Sequence, residues 1–124
     1  MSVRIINADV MEGLATLADC SVDCIVTDPP YGETSLEWDK VPPQWMAECR
    51  RVLKLTGSMW VFGSLRSHMA AADDGWQVAQ DVVWEKHNGS SFHDDRFRRV
   101  HEFALHFYRG DWGALHREVP RVGE

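Results

Sequence analysis

The stretch Ser21-Val22-Asp23-Cys24-Ile25-Val26-Thr27, running into Asp28-Pro29-Pro30-Tyr31, decides how the rest of this chain is read. Residues 22–27 are β-branched and nearly all apolar, which suits a short strand covered on both faces. The strand must stop at Asp28, because two consecutive prolines fix φ and lack the N–H groups that a ladder needs. A stiff turn therefore leaves the sheet with a carboxylate at its head and an aromatic ring at its end.

On the N-terminal side, Val3-Arg4-Ile5-Ile6 reads as another short strand, and Met11, Leu14, Ala15 and Leu17 then recur at helical spacing. On the C-terminal side, residues 32–42 read as a polar loop. Pro43 suits a first helical position, Trp45, Met46, Cys49, Val52 and Leu53 form an apolar stripe of period near 3.6, and Gly57 is expected to end that helix. Residues 58–62 read as a strand with Gly63 as its exit, and Ser64 can cap a helix running through about Ala72. A strand over 78–84, a turn at 87–89 and a long strand over 100–108 complete the pattern.

This order predicts an α/β fold whose parallel strands are followed by a terminal antiparallel hairpin. Ligands of such sheets bind at the carboxyl ends of the strands, where Asp9 and Asp28 both fall. Either can also be a helix cap or turn residue, and for Asp9 taken alone that is the first reading.

The chain has 124 residues, 44% of them hydrophobic and 26% charged, enough for one domain with a single moderate core. No apolar run approaches the ~20 residues needed to cross a bilayer, and the first residues carry no export pattern, so a cytoplasmic protein without a membrane partner is expected. Cys20, Cys24 and Cys49 lack the paired spacing of a zinc site and read as small, mostly buried thiols. His101 and His106, five apart on a strand, point to opposite faces, and no metal is expected. The net charge of −6 argues against electrostatic binding of nucleic acid over the whole surface. Residues 1–83 hold six Lys/Arg against twelve Asp/Glu, whereas 84–124 hold seven against seven, with Arg96, Arg98 and Arg99 clustered. Any contact with nucleic acid is expected to start in that second region, and the cluster alone reads equally as a solvated face.

Asp28-Pro29-Pro30-Tyr31, the segment before it, Arg51-Val52-Leu53-Lys54-Leu55-Thr56-Gly57-Ser58, Val61-Phe62-Gly63, Val83-Trp84-Glu85-Lys86 and His101-Glu102 together resemble the DNA amino-methyltransferases that modify adenine N6 or cytosine N4. The resemblance spans almost the whole chain. It implies a Rossmann-like methyltransferase fold, S-adenosylmethionine as cofactor, DNA as partner and a target base flipped out of the duplex. An exocyclic amine is a poor nucleophile, because its lone pair is delocalised into the ring. A carboxylate at Asp28 and the carbonyl of Pro29 would each accept one N–H, leaving the lone pair aimed at the methyl group, with Pro30 stiffening the turn and Tyr31 stacking on the base. In the family, an acidic residue after the preceding strand contacts the cofactor's adenine. Asp9 matches it, although Ala8 stands where glycine is common, and Asp28 also borders the cofactor. Aspartate at the head of the motif points to adenine N6 ahead of cytosine N4.

The family's glycine turn of Phe-x-Gly-x-Gly type does not follow Tyr108, and Gly110, Gly113 and Gly123 have the wrong spacing for it. The expectation is therefore one partial catalytic domain over residues 1–124, lacking the cofactor block and most of the target-recognition region, with a gap in its sheet. A truncated form, a shortened gene product, or a piece completed by another chain or segment would each fit. The loop at 88–99 reads either as a DNA contact or as an ordinary polar loop. Competing functions are methylation of an RNA or protein amine, and a non-catalytic remnant or interaction module of the same fold.

Overall fold

The computed structural model describes residues 2–71, 75–90, 94–121 and 123. Helix α1 (Val10–Ala15) leads into strand β1 (Val22–Thr27), helix α2 (Trp45–Val52) into β2 (Leu53–Gly63), and helix α3 (Leu65–Ala71) into the hairpin of β3 (Gln77–Ser90) and β4 (Arg99–Tyr108). A short 3-10 turn over Trp112–Ala114 follows. The sheet is mixed, in the order β1-β2-β4-β3. β1 runs parallel to β2, while β4 is antiparallel to both β2 and β3. The expected hairpin is present, and its second strand inserts beside β2.

Alternation along the strands divides the side chains between two faces. Met59 and Val61 of β2 pair with Phe107 and Leu105 of β4 and face α2, whose Trp45, Met46 and Cys49 complete the core together with Leu53 and Trp76. Full burial of side chains such as Leu53, Met59 and Phe107 contributes about 1.5–3 kcal/mol each. On the other face Trp60 stacks on His106, with ring centroids 4.3 Å apart, and Ser58 Oγ lies 2.8 Å from His106 Nε2. Arg51 joins the two first helices, donating to the carbonyls of Leu14 and Leu17 at the end of α1 and pairing with Glu48 and Asp19. Its four acceptors hold the guanidinium charged, with its pKa raised chiefly by the hydrogen bonds it donates to Glu48 and Asp19.

Several sequence expectations are corrected. Residues 3–6 pair with no strand among the described residues, and Val3 and Ile5 are 86% and 89% exposed, because no described backbone lies beside them to complete a ladder. β1 is covered on one face only, with Val22 and Ile25 packed against the core and Val26 69% exposed on the other face. It is also an edge strand of the described sheet, with β2 as its sole described partner.

Helix α2 begins at Trp45 rather than Pro43, after Gln44 turns through φ +61°. It ends at Val52 rather than near Gly57, because Cys20 N–H and Ser21 N–H take the carbonyls of Arg51 and Val52 and draw the chain into β2. The register then jumps from Val22↔Leu53 to Cys24↔Ser58, so residues 54–57 bulge from the ladder.

The turn expected at 87–89 is part of β3, where an irregular pairing with β4 absorbs it and the reversal falls between residues 90 and 99. Ala72, the expected end of α3, lies outside the described residues. Cys49 is buried as expected, but Cys20 and Cys24 are exposed, one at a turn with φ +50° and the other on the uncovered face of β1. No described helix is long and apolar enough to cross a membrane.

Candidate functional site

At the carboxyl end of β1 the backbone leaves the sheet through Asp28-Pro29-Pro30 and opens a cleft of about 1370 Å³. That is roomier than a pocket for one small ligand, which typically measures roughly 300–1,000 Å³. All four motif residues line it, and so do Glu33, Ser64, Lys86, Arg99 and Glu102. The cleft is built from the end of β1, the loop after it, the start of α3, and the facing segments of β3 and β4. Of the sequence-nominated residues, Asp28, Pro29, Pro30 and Tyr31 are brought together. Asp9 and Ala8 lie outside the cleft lining, and Asp9 is the exposed N-cap of α1, its Oδ1 accepting from Met11 N–H at 2.9 Å.

Tyr31 is half-buried and donates its hydroxyl to Asp28 Oδ1 at 3.0 Å. Burial raises the phenol's pKa first, followed by the Asp28 hydrogen bond and the charges of Asp28 and Glu102, against the opposing Arg99. The hydroxyl is therefore a neutral donor at any physiological pH. A carboxylate has about four lone-pair sites, so the tyrosine leaves Asp28 with capacity to accept an N–H from a ligand.

Three elements missed in the sequence hold this arrangement. Asp39 is 6% exposed in the loop read only as polar, and it accepts from the N–H groups of Gly32 (2.9 Å), Glu33 (3.1 Å) and Thr34 (2.8 Å) and from the Thr34 hydroxyl (2.6 Å). These bonds fix the backbone immediately after Tyr31, where Gly32 adopts φ +69°, a conformation glycine reaches without a steric penalty. Glu33 accepts from the Ser64 hydroxyl and pairs with Arg99 Nη2 at 3.5 Å, tying the loop to the end of β2 and the start of β4. Lys86 and Glu102 form an ion pair across β3 and β4 on the opposite wall. A capping signal for Ser64 was legible, and its hydroxyl does accept Ser67 N–H at 3.1 Å. Nothing local distinguishes Asp39 or Glu33 from other acidic loop residues.

Comparison with known proteins places these features in company. Residues 22–122 match the family model described as DNA methylase, of the N6/N4 type. The type II methyltransferase M.HinfI of Haemophilus influenzae is 33% identical over an alignment of 132 residues, covering 82% of this chain and 36% of that protein. The crystal structure of the M1.HpyAVI–SAM complex superposes with a TM-score of 0.61 at 26% identity, covering 85% of this chain and 54% of that one. The cytosine-N4-specific PvuII DNA methyltransferase shares the fold at a TM-score of 0.62 and 15% identity, over 85% of this chain and 48% of that one. The chain thus spans about a third of M.HinfI and about half of the two solved relatives.

Proposed function

This chain belongs to the N6/N4-type DNA methylase family, and from that membership we propose that its cleft holds the exocyclic amine of a base flipped out of DNA for methylation. The observation that carries the reading is the Asp28 carboxylate at the carboxyl end of β1, in one cleft with the half-buried Tyr31. Asp28 and the Pro29 carbonyl each accept one amine N–H. With both hydrogens held, the nitrogen's lone pair is drawn out of conjugation and directed along the line of attack. The two prolines keep both acceptors from relaxing as charge develops on the nitrogen. Tyr31 presents its ring to the face of the base, worth roughly 1–3 kcal/mol per stacked base, which offsets part of the unstacking cost. The aspartate at the head of the motif supports adenine N6 ahead of cytosine N4.

In the cleft, the Asp28 carboxylate would suit the cationic sulfonium of the cofactor that the family uses, while Asp9, outside the cleft lining, has an exposed carboxylate that would suit a ribose or adenine donor held on that side. S-adenosylmethionine, when bound, supplies an electrophilic methyl group. The uncovered side of β1, together with exposed Val3, Ile5 and Val26, supports a further reading. Additional strands bearing the cofactor's glycine turn cover that side, whether from the same polypeptide or another, and residues 1–124 form one part of the catalytic domain.

The test is tritiated methyl transfer to unmethylated DNA by the product of the natural reading frame, with the modified nucleoside identified by mass. N6-methyladenine is the expected product. Asp28→Ala is expected to lower the rate by about 10²–10³-fold or more while DNA binding persists. Undiminished transfer by Asp28→Ala, or label in RNA or protein instead of DNA, overturns the reading.

A further inference from the structure

Phe97 is 100% exposed, although a large apolar ring gains by leaving water. It lies in the segment between β3 and β4, and with Arg96 and Arg99 it lines the same cleft as Asp28 and Tyr31. Arg98, also exposed, completes a run in which one aromatic ring is flanked by guanidinium groups. Asp94 and Asp95 share the segment, so its net charge is small. The ring, rather than bulk attraction, is its distinguishing feature. The ion pair of Arg96 with Asp95 leaves the two side chains 56% and 71% exposed, a solvent-screened contact that a phosphate can replace at little cost.

These observations bear on a problem that the proposed reaction creates. A base that leaves a duplex for the Asp28 cleft leaves an unstacked gap behind it, and apolar side chains inserted between base steps fill such gaps. We propose that Phe97 is that wedge. As the target base enters the cleft, the Phe97 ring occupies the vacated space in the stack, and Arg96 and Arg98 hold the flanking phosphates. The partner surface is therefore duplex DNA specifically, and the inference rests on the flipped-base reading given above.

The experiment compares methyl transfer to unmethylated duplex DNA with transfer to the same DNA heat-denatured, using the product of the natural reading frame. Single strands need no wedge, because their bases are already free. Phe97→Ala is expected to lose about tenfold or more on duplex DNA and to stay within about twofold of the unsubstituted protein on denatured DNA, while Phe97→Trp retains both activities. Equal loss on both substrates, or no loss on either, overturns the wedge. Asp28→Ala serves as the internal comparison. Its loss on both DNAs upholds the catalytic reading independently of Phe97, and its retention on both overturns that reading even where Phe97→Ala separates the two substrates.

Discussion

Asp39 accepts four hydrogen bonds from residues 32–34 while shielded from solvent, and this holds its carboxyl below the ordinary carboxylate range, through the Thr34 hydroxyl first and the Gly32 N–H next. A carboxyl with a depressed folded-state pKa adds stability in full above its unfolded value of about 3.9, and loses it as pH falls through the lower folded-state value. Asp39→Asn substitutes an N–H donor into a site lined with donors. It should therefore lower Tm at pH 7, with the gap from the unsubstituted protein narrowing steadily below about pH 4. A gap of constant size from neutral to strongly acid conditions would show that the charge does not hold this loop. The same loop positions Tyr31 next to Asp28, so methyl transfer should suffer along with stability.

Gly63 sits where β2 meets α3. A Cβ there would lie 2.5 Å from Ser67 Oγ and 2.7 Å from His68 Nε2, and His68 is itself buried with Nε2 3.1 Å from the Val61 carbonyl. Gly63→Ala must displace that imidazole or part α3 from the strand. We expect a loss of about 1–3 kcal/mol, read as a lower urea midpoint with an unchanged m-value; an unaltered midpoint would mean that α3 is not held by this contact.

At this scale the sequence was readable where a local signal matched the final contact. The periodicity of Met11 and Leu14, the Ser64 cap and the apolar run of β4 all correspond to observed elements. Gly57 does not end α2, which stops at Val52 for a reason that is not local. Backbone donors at Cys20 and Ser21, some thirty residues earlier in the chain, take its last carbonyls.

Across the whole molecule, the core fills one face of the sheet, and β1 marks the border of what is covered. The proposal that further strands complete the cofactor site beyond β1 has a direct thermodynamic consequence. Residues 1–124 alone should bind S-adenosylmethionine weakly in calorimetry, with Kd above about 1 mM, and a Kd near ~1 µM would require the site to be complete within these residues.

By itself, the sequence determined the strand-ending turn at residues 28–31, the family resemblance and the α/β order. Proline stereochemistry and side-chain periodicity act over a few residues and need no distant partner. Only the tertiary structure decided that the hairpin inserts β4 beside β2, that the Tyr31 hydroxyl meets Asp28, that Asp39 and Glu33 fasten the cleft, and that Phe97 lines it. Each of these depends on groups far apart in the chain, or on the direction a side chain takes once the backbone around it is fixed, and neither is encoded in local spacing.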